Sequence, residues 1–325
     1  MTITIDQAAS FLNTASRQFA PEIAVKTRLG LEMESKLMQR TSTGEYYVTE
    51  SMESSEILQP YQGAFTPKGT LTHSENAIRV RPIKIDLTFT EEQLEKWYYA
   101  WQNSRFEGGK DPRNYSYAQY VLEREITPKL QDDLNSVSWL GSYAQPTPGT
   151  AGDSVDSVDG FKKVIADAIT AGKIPAGNVY SSGVLSVSNM RDQVEGFLDS
   201  IPEALTSKGG KILCSPQLVR WYLRDYRGEF SSIPSLYNPE AGALRPVLVD
   251  AYNVELVPIA TMAGSQRMVF LANGRDNMIW VDRAGYATYP NFIFDTAPRV
   301  LQCYATIYRG YGFEFPAEIY VNNQV

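Results

Sequence analysis

One segment near the end of the chain carries residue types whose spacing could bind nucleic acid. The run Arg309-Gly-Tyr-Gly-Phe fits the first five positions of the RNA-recognition pattern K/R-G-F/Y-G/A-F, whose aromatic rings stack on bases. The fit ends there, because Glu314 stands where the pattern has Val and Pro316 stands where it has its last aromatic residue. We therefore interpret the run as a structural strand rather than an RNA-binding surface.

Histidine and cysteine are too sparse for a metal centre or a catalytic triad built on them. His73 is the single histidine, and we place it in the polar tip of a hairpin, as a solvated loop residue. A closed zinc site cannot be made from one His and two distant Cys, and a Ser-His-Asp triad needs a base held by packing. We expect Cys214 and Cys303 to be buried free thiols, although a disulfide stays open because it requires Cα atoms within about 7 Å.

Three aspartates and two lysines are candidate ligand-binding residues by type. Asp153, Asp156 and Asp159 lie three apart, whereas a calcium loop needs alternate positions, a Gly and a late Glu, so we expect an acidic loop with Asp159 as the N-cap of the next helix. Lys110 and Lys211 follow Gly-Gly without the spacing of a phosphate-binding loop. We assign no catalytic, cofactor-binding or metal-binding residue, expect no cofactor and expect that the chain is not an enzyme.

The composition favours a folded protein that makes many contacts. The 325 residues are 43% hydrophobic and 21% charged, and 20 of them are Tyr, a residue favoured at interfaces. The net charge of -7 argues against tight binding of nucleic acid through global electrostatics, although a local basic face stays open. No apolar run approaches the roughly 20 residues of a membrane span, and the N-terminus lacks signal-peptide features, so we expect synthesis in the cytoplasm without anchoring.

The first ninety residues contain a long projection with little core of its own. We predict a marginal helix over residues 6–19 and an extended arm over 22–40. Residues 41–90 are predicted to form a long β-hairpin with a polar tip, and the alternation from Ala77 to Phe89 is a strand signature in which Pro82 marks a bulge or an edge. A two-stranded projection is marginal in isolation, so the hairpin needs a neighbour on which to lie.

The remaining segments alternate irregularly between helix and strand, which predicts an α+β fold. Thr90 and Gln93 fit a capping box, and Pro128 should kink or divide the next helix. The aromatic residues of the helix that starts at Thr90 are interpreted as core and contact surface rather than as a cofactor box: Trp97, Tyr98, Tyr99 and Trp101. The predicted helices cover residues 90–101, 114–136, 159–172, 187–206 with Ser188 as cap, and 215–224 with Ser215 as cap. The predicted strands cover residues 209–214, 254–257, 268–271, 277–281, 291–295, 300–316 and 318–322.

This order of segments resembles the major capsid proteins of tailed bacteriophages, which share the Hong Kong 97 fold. Lys211-Ile-Leu-Cys-Ser-Pro-Gln, running on to Arg224-Asp-Tyr-Arg-Gly228, resembles the strand, helix and turn of that family's axial domain. Val254-Glu-Leu-Val-Pro-Ile-Ala260 and Asn277-Met-Ile-Trp-Val-Asp-Arg283 are similar to the paired strands that follow it. The likeness covers nearly the whole chain in order and is one of pattern.

The resemblance implies a four-part layout. Residues 1–40 would be an N-terminal arm, 41–90 an extended loop, 91–178 with 286–325 a peripheral domain containing a long spine helix, and 179–285 an axial domain. Copies would form pentamers and hexamers of an icosahedral virion shell around double-stranded DNA, which the acidic chain would contact weakly. Portal, scaffold and decoration proteins are further implied partners.

A scaffolding segment and a covalent cross-link each occur in some members of the family. Some members carry an N-terminal scaffolding segment, and because the arm begins close to Met1 we expect a separate scaffold protein or none. Some members are cross-linked through a Lys of the extended loop; Lys68 is the only Lys between residues 41 and 83, but no catalytic Glu can be matched, so no cross-link is predicted. A tail or decoration protein, and an oligomeric enzyme of mixed fold, are the alternatives.

Overall fold

The structure is a computed structural model that describes residues 31–54, 56–107, 120–230, 247–249, 253–273, 277–284, 291–295 and 300–324. The predicted helix over residues 6–19 and the first part of the predicted arm lie outside these described residues. Within them, helices and strands alternate irregularly, as predicted for an α+β fold.

Six α-helices and thirteen strands can be bounded in the described residues. The helices are α1 (Glu91–Glu107), α2 (Thr127–Leu140, preceded by a π-helical segment Val121–Ile126), α3 (Phe161–Thr170), α4 (Met190–Asp199), α5 (Glu203–Thr206) and α6 (Pro216–Phe230). The strands are β1 (Met38–Ser42), β2 (Tyr46–Ser54), β3 (Leu71–Arg79), β4 (Arg81–Thr90), β5 (Val179–Tyr180), β6 (Gly210–Cys214), β7 (Val247–Leu248), β8 (Val254–Pro258), β9 (Val269–Ala272), β10 (Met278–Arg283), β11 (Asn291–Asp295), β12 (Val300–Phe313) and β13 (Tyr320–Asn322).

The first sheet is organised around β12. Its order is β1-β10-β12-β11, and β4 also pairs with β12 in an antiparallel register that puts Ile83 opposite Ile307. Period-two alternation places these apolar side chains on one face, where Ile307 packs with Leu134 and Leu130 of α2. Among the described residues β4 pairs only with β12, so Pro82 occupies an edge strand, as predicted, the position in a sheet where proline is tolerated.

Helix α1 begins with the predicted capping box. The Thr90 backbone N–H donates to Gln93 Oε1 (3.0 Å), and the Gln93 N–H donates to Thr90 Oγ1 (3.4 Å). Trp97 stacks edge-on against Phe89 at 5.1 Å between ring centroids, and it packs with Trp101 around buried Tyr120. The predicted core packing is confirmed for the partly buried rings of Trp97, Tyr98 and Trp101, whereas Tyr99 is 55% exposed; their predicted role as contact surface stays a prediction.

Proline divides the next helix, as predicted. The chain runs through the π-helical segment and then α2 begins, with Pro128 in its first turn, where a missing N–H has no partner to lose. Helix α2 continues four residues beyond the predicted end and stops at Gly141, whose N–H donates to the Val137 carbonyl.

The second sheet has the order β5-β13-β9-β6-β8-β7. Helices α4 and α6 cover its apolar side with fully buried Phe197 and Tyr222, which pack with Ile212 of β6. Ser215 stands at the start of α6 as predicted and its carbonyl accepts the Leu218 N–H (3.1 Å). Its hydroxyl has no partner within the described chain, so it does not act as a side-chain cap.

Two predictions about helices and one about the hairpin are wrong in detail. The helix predicted over residues 187–206 is α4 and α5, separated at Pro202, and Asn189 rather than Ser188 stands at the cap position. The predicted hairpin over 41–90 is shorter, because the chain changes partner after Val80: β3 pairs with β2, whereas β4 joins the first sheet.

The chain separates into two compact units. One comprises Met1–Gln39, Arg81–Lys163 and Asp282–Gly310, and the other Arg40–Val80, Val164–Val281 and Tyr311–Val325. The four-part domain layout stays a prediction. Two strand pairings bear on this layout. Strand β13 is hydrogen-bonded to β5 and to β9, which lie in the predicted axial domain, whereas the layout places β13 in the peripheral domain. In the described residues, no helix combines the length and apolar character needed to cross a membrane.

Candidate assembly surface

The RNA-like run lies inside β12, and its rings are inaccessible to bases. Tyr311 and Phe313 are 4% and 2% exposed. The Arg309 guanidinium forms an ion pair with Glu34 (Nε to Oε1, 3.3 Å), and that carboxylate is almost fully buried. The interpretation of this segment as a structural strand is confirmed.

Both cysteines are buried free thiols, as predicted. Desolvation raises the pKa of each thiol from 9.0 to about 12, and Asp86 adds to the rise at Cys303. A thiol that stays protonated at neutral pH is a poor nucleophile and a poor metal ligand. Neither residue is placed to do chemistry.

Asp153 and Asp156 lie in the connection between α2 and α3, as predicted, whereas Asp159 and the histidine differ from prediction. Asp159 does not cap α3; its Oδ1 accepts the Tyr143 backbone N–H (3.0 Å) and so ties the loop before α3 to the end of α2. No group of three or more potential metal ligands occurs in the part of the chain that the structure describes. His73 is not in the hairpin tip but within β3, opposite Met52, because the strands extend further than the polar sequence indicated.

The base of the β2–β3 hairpin is tied to the end of β12. Asn76 Nδ2 donates to the Phe313 carbonyl (2.7 Å), and Thr49 Oγ1 donates to the Glu314 carbonyl (3.1 Å). Ile78 is buried against Gly312, where a Cβ would come within 2.6 Å of its side chain. These contacts fix one end of the hairpin.

The far end of the hairpin is a loop over residues 56–70 in which every residue is exposed. Polar contacts close it on itself: Lys68 Nζ donates to the Leu58 carbonyl (2.6 Å) and pairs with Glu56 (2.9 Å), and Gln59 Nε2 donates to the Thr66 carbonyl (2.7 Å). The loop therefore has an internal order that does not depend on burial of its side chains.

Four large apolar side chains of this loop face solvent. Tyr61 is 98% exposed, Phe65 96%, Leu58 80% and Ile57 62%. Such a concentration makes the loop a candidate contact surface, since large contiguous apolar patches are rare on proteins that act alone. We call these four residues the tip cluster. Sequence reasoning identified the projection but not the cluster, whose signal was apolar residues spaced among the two prolines and two glycines of residues 59–69.

No protein-family profile matches the chain. No curated protein matches it either.

Solved structures do resemble it, at 10–12% identity for the two phage examples. The procapsid of satellite phage P4, solved with the size determination protein Sid, superposes with a TM-score of 0.60 at 10% identity, over 93% of this chain and 89% of that one. The capsid asymmetric unit of cyanophage A-1(L) gives a TM-score of 0.55 at 12% identity, over 92% of each chain. The holo-SrpI encapsulin complex of Synechococcus elongatus PCC 7942 gives 0.52 at 9% identity, over 89% and 85%.

The fold predicted from the sequence is confirmed by these likenesses. The chain has an α+β fold of the Hong Kong 97 capsid type, shared along nearly its full length with the phage capsid structures.

Proposed function

We propose that this chain is the major capsid protein of a tailed bacteriophage. Copies of it would assemble as pentamers and hexamers into an icosahedral virion shell that encloses double-stranded DNA. The observation that carries the proposal is the tip cluster on a hairpin that projects from a capsid-type fold. A monomer gains nothing from presenting four such side chains to water, whereas a neighbouring copy can bury them.

The base of the hairpin is anchored and its tip is exposed, and this difference supports the proposal. Its base is held by hydrogen bonds to β12, so its direction is set within one subunit. Its tip is closed by Lys68 and presents Tyr61 and Phe65 outward. Aromatic residues carry much of the energy of protein interfaces, and a rigid projection loses little entropy on docking. A hairpin of this kind is suited to lie across an adjacent subunit.

Further parts of the proposal follow from the capsid role. We propose a portal protein, a scaffold and decoration proteins as partners, and weak contact with packaged DNA because the chain is acidic. We propose no enzymatic activity and no cofactor for the subunit, whose role in this account is mechanical. The arm, extended loop, peripheral and axial domains remain the proposed layout.

A second candidate is an encapsulin shell. It is favoured by the likeness to the SrpI encapsulin complex, which covers 89% of this chain. Both candidates are closed protein shells, and they differ in what the shell encloses. Nuclease-protected double-stranded DNA in particles from infected cells would support the phage capsid.

Negative-stain electron microscopy of the purified full-length chain tests the proposal. Closed shells with hexameric and pentameric units are expected, with a separate scaffold supplied if the chain alone gives aberrant shells. Tubes or isolated trimers would indicate a tail or decoration protein. A small discrete oligomer that a ligand screen stabilises strongly would indicate an enzyme instead.

A further inference from the structure

Two glutamates face each other on the exposed side of the hairpin. Glu50 of β2 lies directly opposite Glu75 of β3, and both side chains are exposed. Opposed residues of an antiparallel pair have Cβ atoms about 5 Å apart, and like charges in that position destabilise the sheet. Neither carboxylate forms a hydrogen bond or an ion pair with any described residue.

Toward the base of the hairpin, the neighbours of this glutamate pair on the same face are apolar. Val48 opposes Ala77, and Tyr46 is the next residue of β2 on that side; Val48 and Tyr46 are 52% and 50% exposed. Among the described side chains on this face the cation is Arg79, which lies over the Tyr46 ring at 5.8 Å, two opposed pairs away from the glutamates. Lys173 contacts the other face of the hairpin, where its Nζ donates to Asn76 Oδ1 (3.1 Å). The face of the glutamates therefore combines negative charge without a described ion pair and an adjoining apolar strip.

Helix α6 presents the opposite charge. Arg220, Arg224 and Arg227 follow one another at spacings of four and three residues, so they lie along one face of the helix, and all three are exposed. Arg220 Nε donates to the Pro216 carbonyl (3.3 Å), and no described carboxylate pairs with any of the three. We call these three residues the arginine stripe.

The arginine stripe is not neutralised by the acids of its own helix. Asp225 accepts the Arg191 backbone N–H (2.8 Å), and Glu229 forms an ion pair with the Arg191 guanidinium. Trp221, half-buried, adjoins Arg224 on the helix surface. Arg beside Trp is the composition typical of protein interfaces.

We propose that the arginine stripe on one copy of the chain binds the Glu50–Glu75 pair of the neighbouring copy. This inference rests on the proposed shell function and names the partner surface for the side of the hairpin. The guanidinium group matches carboxylates with paired hydrogen bonds, and two close carboxylates gain most from such a donor. Trp221 would then meet the apolar strip at Val48.

A contact of this kind is heterologous, because two different surfaces of the same chain meet. Repeated around an axis it closes into a ring, which is the geometry a capsomer needs. Phosphate groups of DNA could also bind arginine. The second copy is favoured because it satisfies both surfaces, whereas DNA would leave the Glu50–Glu75 pair uncompensated.

Charge exchange on the full-length chain tests the inference. The double variants E50K/E75K and R220E/R224E should each lower the fraction of chain sedimenting as shells by about tenfold or more, because attraction at the contact becomes repulsion. Combining all four substitutions should restore assembly. The controls E45K/E203K and K208E/K211E make the same changes of net charge at other exposed positions and should assemble normally.

The outcomes separate this inference from the shell proposal. If the wild-type chain forms no shells, the proposed function fails; if it forms shells and either double variant assembles normally, or the fourfold variant is not restored, the inference is overturned. Loss of retained double-stranded DNA in R220E/R224E shells that assemble normally would assign the stripe to phosphate instead.

A cross-linking variant covers the case in which a double variant does not fold. E75C/R224C should give disulfide-linked oligomers on a non-reducing gel after oxidation of assembled shells. A chain that stays monomeric on that gel, from shells that did assemble, contradicts the inference. E203C/R224C is the matched control and should stay monomeric.

Discussion

Replacing the two most exposed aromatic residues of the tip cluster should abolish assembly without unfolding the subunit. Tyr61 and Phe65 are 98% and 96% exposed, so neither contributes packing to its own subunit. If both become buried against a neighbour, transfer from water is worth about 2 kcal/mol each, hence about 4 kcal/mol per contact. Because 1.4 kcal/mol is a factor of ten, Y61S/F65S should weaken each pairwise contact by roughly a thousandfold.

The assay for Y61S/F65S is the concentration at which shells appear, followed by light scattering and checked by sucrose-gradient sedimentation. We expect no shells at concentrations well above the wild-type threshold. The free energy of unfolding of the unassembled subunit should change by less than about 0.5 kcal/mol, as for other surface substitutions. Y99S on α1, where the ring is 55% exposed, is the matched control. An unchanged assembly threshold for Y61S/F65S would refute the reasoning.

Three further predictions concern stability. E34A should lower the free energy of unfolding, measured with urea, by about 3–5 kcal/mol, because it leaves the Arg309 charge partly buried without its carboxylate. Cys214 and Cys303 should resist iodoacetamide at pH 8 in the folded subunit. Folding raises the pKa of each thiol from 9.0 to about 12. The contribution of the two thiols to the free energy of unfolding is therefore complete below pH 9 and is lost as the pH rises toward 12. G210A should destabilise by about 1–3 kcal/mol, because its Cβ would lie 2.6 Å from the Leu271 carbonyl oxygen.

Two control variants accompany these predictions. E45A removes an exposed carboxylate and should leave stability nearly unchanged. G177A places a Cβ in open space and should be tolerated. Rapid labelling of either cysteine in the folded subunit would contradict the burial described for the thiols, and a stability for E34A within 1 kcal/mol of wild type would contradict the role given to the ion pair.

Local signals in the sequence predicted most elements correctly. The Thr90–Gln93 box, Pro128 and the Ser215-Pro216 start of α6 each act within one or two turns, so their outcome depends little on distant residues. The interpretation of β12 as a core strand, rather than as a base-stacking surface, correctly predicted that Tyr311 and Phe313 are buried.

Features decided by distant contacts could not be predicted in this way. The apolar alternation over residues 77–89 changes phase between Val80 and Ile83, which signals a break. It does not reveal that the first half pairs with β2 and the second half with β12. Asp159 is similarly diverted from its helix to the Tyr143 N–H. The tip cluster escaped prediction because apolar residues in a Pro- and Gly-rich loop have no periodicity to reveal them.

A cryo-electron microscopy reconstruction of particles assembled from the full-length chain tests the central claim most directly. The account predicts a closed icosahedral shell in which Tyr61 and Phe65 of each hairpin are buried against an adjacent subunit. A shell whose hairpin tips remain in solvent, or particles without icosahedral symmetry, would contradict it.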